Sequence, residues 1–161
     1  MSGSATDTPP EEPSKIAPQS DTFPARFSRL DEVRDFVGQA ADASGLSPDA
    51  IYQVQLAVDE AFTNIVEHAY GGECDKEILC TCQLLANGLS ITLRDCGQSF
   101  DPTRVPDPDL EADLEERQIG GLGLFFIRQL MDEVEFAFTS ETETGQKCNV
   151  LKMIKYKEKE P

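Results

Sequence analysis

The chain has 161 residues, 30 acidic against 14 basic, and a formal net charge of −16. Neutralising nucleic-acid phosphates needs a surplus of Lys and Arg, and so does attraction to an anionic membrane surface, so the composition speaks against both partners. With 39% apolar residues the chain can still build a core, and its length suits one domain plus a tail.

No run approaches the roughly 18 apolar residues that a membrane span needs. The N-terminal MSGSATDTPPEEPSK has no apolar stretch of the kind that marks a secretory signal, which predicts a cytoplasmic protein. There are five cysteines, none of them in a CxxC pair, and one histidine, His68. That inventory does not suit a Cys/His zinc site and predicts reduced, partly buried thiols.

Residues 1–22 are rich in proline and small polar side chains and predict a disordered tail, with the ordered domain at 23–157. Phe23, Phe27 and Leu30 suggest a short edge strand. From Asp31, the spacing of Val33, Phe36, Val37 and Ala40 predicts a helix that Gly45 stops. Ser47-Pro48 is a helix start, serine capping and proline in the first turn, and predicts a second helix from Pro48 to Ala69 ended by Gly71-Gly72. Its apolar stripe is Ile51, Val54, Val58, Ala61, Phe62, Ile65 and Ala69. Two strands follow, 77–85 and 89–95, joined through the turn signal Asn87-Gly88. A long Pro- and Asp-rich stretch at about 98–121 has the length of a lid or binding loop. A helix over 122–131 and strands over 134–140 and 148–156, joined at Thr144-Gly145, complete an α+β or mixed α/β sandwich with helices on one sheet face.

Three short segments can carry chemistry. On the second helix, Glu60, Asn64 and His68 are four residues apart and lie above one another beside the apolar stripe. A single helical Glu is most often just solvated. A mid-helix Asn competes for backbone hydrogen bonds, so Asn64 calls for a ligand or a buried partner. His68 suits a structural place at the helix C-terminus, where an imidazolium complements the dipole. Asp95-Cys96-Gly97 closes a strand: the aspartate can accept from an exocyclic amine, although an isolated DxG is more often a plain turn. Gly120-Gly121-Leu122-Gly123 precedes a helix, where backbone N–H groups can face phosphate; a flexible turn explains such a run equally well. No Gly-Lys-Ser/Thr follows, so this is not a Walker A loop.

Together and in this order, LAVDEAFTNIVEHAYGG (56–72), ITLRDCGQSFDP (91–102) and ERQIGGLGLFFIRQLMDEVEF (116–136) resemble the N, G1 and G2 boxes of the GHKL (Bergerat-fold) ATPases. The resemblance is closest to bacterial anti-sigma-factor serine-protein kinases and covers roughly residues 23–156. It implies a two-layer sandwich, a mixed and mostly antiparallel sheet covered on one face by about three helices, and ATP and Mg²⁺ as cofactors. By the same resemblance Glu60 is the general base, Asn64 the Mg²⁺ ligand, and Asp95 the acceptor for the adenine amine, with Gly97 giving the ring room. Gly121 and Gly123, with Leu122 and Leu124, hinge the lid and cradle the phosphates, and Arg117 reaches the terminal phosphate. Where relatives often carry a Gly-Thr that touches phosphate, this chain has Gln146-Lys147-Cys148-Asn149, and Asn149 stands in as the polar contact. Arg34 falls where the family meets its protein partners, although a lone surface arginine is usually no more than that. The implied activity is phosphorylation of a serine on an anti-anti-sigma (STAS-domain) protein, with sequestration of a sigma factor, often as a homodimer. The alternative is a nucleotide-dependent binding switch without phosphotransfer. A histidine-kinase catalytic domain lacks support, because no helix pair with a phospho-acceptor histidine precedes the boxes.

Overall fold

The structure, a computed structural model, describes residues 16–99, 121–140 and 145–158. Its elements run β1 (Gln19–Pro24), a 3₁₀ turn (Phe27–Arg29), α1 (Leu30–Ala43), α2 (Pro48–Asn64), a π-helical turn (Ile65–Ala69), β2 (Glu77–Leu85), β3 (Gly88–Asp95), α3 (Gly121–Leu130), β4 (Glu133–Ser140) and β5 (Lys147–Tyr156). The strands form one sheet in the order β1-β2-β3-β5-β4, antiparallel at every pairing. The fold is α+β, as expected, and among the described residues three α-helices lie over a five-stranded sheet.

Strand alternation builds the core. Ile78, Cys80 and Cys82 of β2, Leu89, Ile91 and Leu93 of β3, and Leu151 and Met153 of β5 are all buried. The register sets Cys80 beside Leu93 and Leu93 beside Leu151, so these side chains make one continuous inner face. Against it pack Val33 and Val37 of α1, Val54, Val58 and Phe62 of α2, and Ile127 of α3.

The caps behave as their chemistry requires. Ser47 Oγ accepts from the Ala50 N–H at 3.1 Å, closing the first turn of α2. Gly71 and Gly72 end the helical segment at φ of 75° and 137°, values open to glycine.

Three local expectations change. The edge strand is β1, which begins ahead of the predicted start of order at Phe23; Phe27 belongs to the 3₁₀ turn and Leu30 opens α1. β1 exposes most of its side chains and is held by backbone pairing to β2, so it leaves no apolar pattern. The predicted second helix changes pitch at Ile65: the Tyr70 N–H donates to Ile65 O at 3.0 Å, five residues back, so the segment ends in a wider turn. In the β2–β3 hairpin, Leu85 pairs with Gly88, which leaves Ala86 and Asn87 as the loop, and neither has positive φ. Gly88 is required for space instead. A Cβ there would run into the Lys155 carbonyl oxygen and lie 2.8 Å from Tyr156 Cα.

Backbone atoms cannot yield as a flexible side chain can. Gly88→Ala should therefore lower stability by about 1–3 kcal/mol in urea unfolding, the range of overpacked interiors. A loss below about 0.5 kcal/mol, the scale of a neutral surface change, would contradict that close approach.

Candidate functional site

The helical side of the site comes from α2. Its neighbouring acids, Asp59 and Glu60, have opposite fates. Asp59 Oδ1 accepts from Arg34 Nε of α1 at 3.1 Å, and Arg34 Nη1 also lies 3.1 Å from Asp31. Glu60 faces the start of α3, and among the described residues no cation pairs with it. A methyl group added at Gly123 would sit 2.8 Å from Asn64 Nδ2, 3.1 Å from Asn64 Oδ1 and 3.3 Å from Glu60 Oε2. Gly123 thus lets the backbone of α3 come down onto the Glu60–Asn64 pair, with Gly121 and Leu122 as the first residues of that helix. Burial, reinforced by the charges of Asp59 and Glu67, raises the Glu60 carboxyl above its usual value.

The sheet side is built on the end of β3. The register places Asp95 opposite Asn149. Asp95 is buried, and its Oδ1 accepts from both the Gly97 N–H and Asn149 Nδ2, each at 2.9 Å. The same Asn149 amide donates to Gln98 O at 2.9 Å. Both protein donors converge on one carboxylate oxygen, Oδ1, and the Asp95 residue lines the cavity. Burial raises the Asp95 carboxyl, and the hydrogen bonds from Asn149 and Gly97 pull the other way.

Between these two sides lies a cavity of about 360 Å³, within the usual range for small-molecule sites. Asn64 and His68 line it from the second helical segment, Leu124 from α3, Phe138 from β4, and Asp95 and Asn149 from the sheet. His68 sits in the π-helical turn, and its nearest acid is Glu67 at 3.9 Å. It is therefore part of the cavity wall as well as of the helix end.

Gly97 has a different partner from the one its motif suggested. A Cβ there would clash with the Ala69 carbonyl, whose carbon would lie 2.6 Å away, so the missing side chain makes room for the end of the second helical segment. The Gln98 N–H then donates to Ala69 O at 2.7 Å, which pins the end of β3 to that segment. Arg117 and residues 100–120 of the lid predicted at about 98–121 lie outside the described residues.

Two features escaped the sequence reading. Tyr70 Oη accepts from the Cys96 N–H at 3.1 Å and donates to Glu77 O at 2.8 Å, bracing the cavity rim; nothing in its neighbourhood signals this. The expectation that the thiols are all reduced is corrected by a Cys96–Cys148 disulfide. Its cysteines are 52 residues apart and meet only through the β3–β5 ladder. Cys74, Cys80 and Cys82 are free.

A family model for the histidine kinase-like ATPase domain matches residues 23–155. The chain belongs to that family. Among relatives of this ATPase domain, a serine-protein kinase RsbW from Listeria monocytogenes is 41% identical over 102 residues, 61% of this chain and 65% of that protein. A protein of the same name from Halalkalibacterium halodurans is 36% identical over 120 residues, 71% of this chain and 72% of its own. The chain thus spans just under two thirds of the first curated relatives it matches. The crystal structure of the RsbU and RsbW domains of a Mycobacterium tuberculosis protein matches with a TM-score of 0.55 at 17% identity, over 88% of this chain and 33% of that one, and shares the fold. No described helix is long and apolar enough to cross a membrane.

Both site carboxyls have folded-state values raised by burial, so each contributes stability below its ordinary value, 3.8 for Asp95 and 4.5 for Glu60. That contribution is lost as pH rises through the raised value. Asp95→Asn keeps an oxygen acceptor for Gly97 and Asn149 but has no such loss. Its stability relative to the parent, from urea unfolding at a series of pH values, should therefore improve as pH climbs from about 4 toward neutrality. A pH-independent difference would show that Asp95 is not desolvated.

Proposed function

We propose that this chain is an ATP- and Mg²⁺-dependent serine/threonine-protein kinase. On this reading it phosphorylates a serine of an anti-anti-sigma partner with a STAS domain and holds a sigma factor, acting in the cytoplasm to regulate transcription. The observation that carries the reading is the layout around one cavity: Asp95 lines it at the sheet end, Asn64 at the helix end and Leu124 from the glycine-led helix, with Glu60 beside Asn64 where Gly123 brings that helix close. The serine-protein kinase names of the relatives support it.

The adenine amine would donate to Asp95 Oδ2, the oxygen that Gly97 and Asn149 leave unused. The phosphates would then run toward the N-terminus of α3, where main-chain N–H groups and the dipole favour anions. Asn64 offers a hard oxygen there, and no group of three or more His, Cys, Asp or Glu among the described residues forms a ready-made cage. This donor set fits Mg²⁺, which takes one or two protein oxygens with substrate phosphates and water, whereas softer or larger ions ask for more protein ligands. When bound, the ion offsets phosphate charge. Glu60, partly desolvated and unpaired by any described cation, would accept the proton of the partner's serine as its oxygen bonds to the γ-phosphorus and ADP leaves.

A nucleotide-dependent switch without phosphotransfer is the second reading. An unpaired, partly buried carboxylate costs stability and is of no use to a pure binder, so Glu60 favours the kinase. Arg34 marks the partner face. Its pairs with Asp59 and Asp31 would be exchanged for partner carboxylates, which links partner docking to the residue next to the base.

With labelled ATP, Mg²⁺ and a candidate STAS protein, Glu60→Gln should cut transfer to the partner by about 10²–10⁴-fold, the usual worth of a general base, while ATP binding persists. ATP binding with no transfer by the parent to any cognate partner would favour the switch. Asn64→Ala should remove the Mg²⁺ dependence of nucleotide binding in calorimetry with the fold intact, and unchanged affinity would take Asn64 out of the site.

A further inference from the structure

The Cys96–Cys148 bridge lies one step beyond the Asp95–Asn149 pair that ends the β3–β5 ladder. Each cysteine is thus the chain neighbour of one member of the pair that faces the cavity. The Cys96 backbone is held on two sides, its N–H by Tyr70 Oη at 3.1 Å and its carbonyl by Gln146 Nε2 at 3.0 Å. The two sulfurs sit in different surroundings. Cys96 is partly accessible, whereas Cys148 is fully buried with Arg94 Nη2 3.6 Å from its sulfur. A guanidinium beside sulfur stabilises the thiolate, and a stabilised thiolate leaves faster in exchange. The remaining cysteines lack this arrangement: Cys80 and Cys82 are fully buried in the core, and Cys74 stands alone.

We propose that Cys96–Cys148 is a reversible thiol–disulfide site that takes a dithiol reductant, and that the closed bridge holds Asp95 and Asn149 in the arrangement that binds nucleotide. The effect on binding rests on the reading of Asp95 as the adenine contact. A reductant thiolate attacks the sulfur of Cys96, the less buried of the two residues, and forms a mixed disulfide, while the electron pair of the broken bond leaves on the Cys148 sulfur beside Arg94. The reductant's second thiol then displaces Cys96. Two electrons and two protons pass to the protein, and the reductant ends as its own disulfide. Opening the bridge frees the start of β5 from the end of β3, so the Asn149 amide no longer holds Asp95 Oδ1 in place and affinity falls. Disulfides of proteins that work in reducing compartments are characteristically transient, catalytic or redox-sensing, which suits a bridge beside a ligand site.

The full chain is compared after mild oxidation and after dithiothreitol, with peptide mapping of alkylated thiols and calorimetry with MgATP. The oxidised chain should show Cys96 linked to Cys148, and reduction should weaken ATP binding about fivefold or more, the lower end of measured site-to-site couplings. Cys148→Ala should bind like the reduced parent whether or not dithiothreitol is present. Cys96→Ser, altered on the accessible side, should do the same should the buried substitution unfold the protein. By reciprocity MgATP should raise the dithiothreitol concentration needed to open the bridge. Five free thiols after oxidation, or equal affinity of the bridged and reduced chains, overturns the inference and leaves the nucleotide reading standing. A folded chain that binds no ATP in either state overturns the nucleotide reading and the inference with it.

Discussion

The antiparallel register of β3 against β5 is the constraint on which the site depends. It sets Asp95 opposite Asn149 at the inner edge of the sheet, and the same ladder brings Cys96 to Cys148. A slip of one residue would turn every side chain of β5 to the opposite face. Asp95 would then be buried without the Asn149 amide, one of the two hydrogen bonds that offset its desolvation. The apolar rows Leu93–Leu151 and Ile91–Met153 forbid that slip, because it would carry Leu151 and Met153 out of the core. Packing of the core therefore specifies the polar pair at its rim.

The helical half obeys a second constraint, the close approach of α3 to α2. Gly123 is the contact that makes it possible, since any side chain there would meet Asn64 and Glu60. The approach places main-chain N–H groups of α3 next to a carboxylate and an amide, and it partly desolvates Glu60. A proton acceptor with a raised value is better matched to a hydroxyl nucleophile than a fully solvated carboxylate. The acid beside it, Asp59, is paired with Arg34 instead, although its charge still adds to the upward shift of Glu60.

Charge shapes the site as well. A chain with a net charge of −16 repels a polyphosphate at long range, so binding must rest on local positive potential. On the proposed reading the N-terminus of α3 would supply part of that potential, and a divalent cation at Asn64 more. The described arginine nearest Glu60 in the chain, Arg34, is committed to Asp59 and Asp31.

The sequence by itself determined those features whose causes are local. Ser47-Pro48 starts α2 because a side-chain cap and a fixed φ act within one turn, and the alternation in 77–85 and 89–95 sets which strand faces are apolar. The order of the three motif segments, with Glu60, Asn64, Asp95 and the glycine run, was equally legible, as was the α+β class. Tertiary structure alone decided the rest. β1 has no apolar pattern and exists because β2 offers it an edge. Asp59 and Glu60 are indistinguishable by type, and only the position of α1 makes one a salt-bridge partner and the other a candidate base. Gly97 matches its motif, yet the space it leaves is filled by Ala69. The disulfide joins residues 52 apart. Capping and periodicity are interactions within a few residues and are written in order along the chain, whereas strand register, helix docking and sulfur pairing depend on which distant backbones come within a few ångströms of each other.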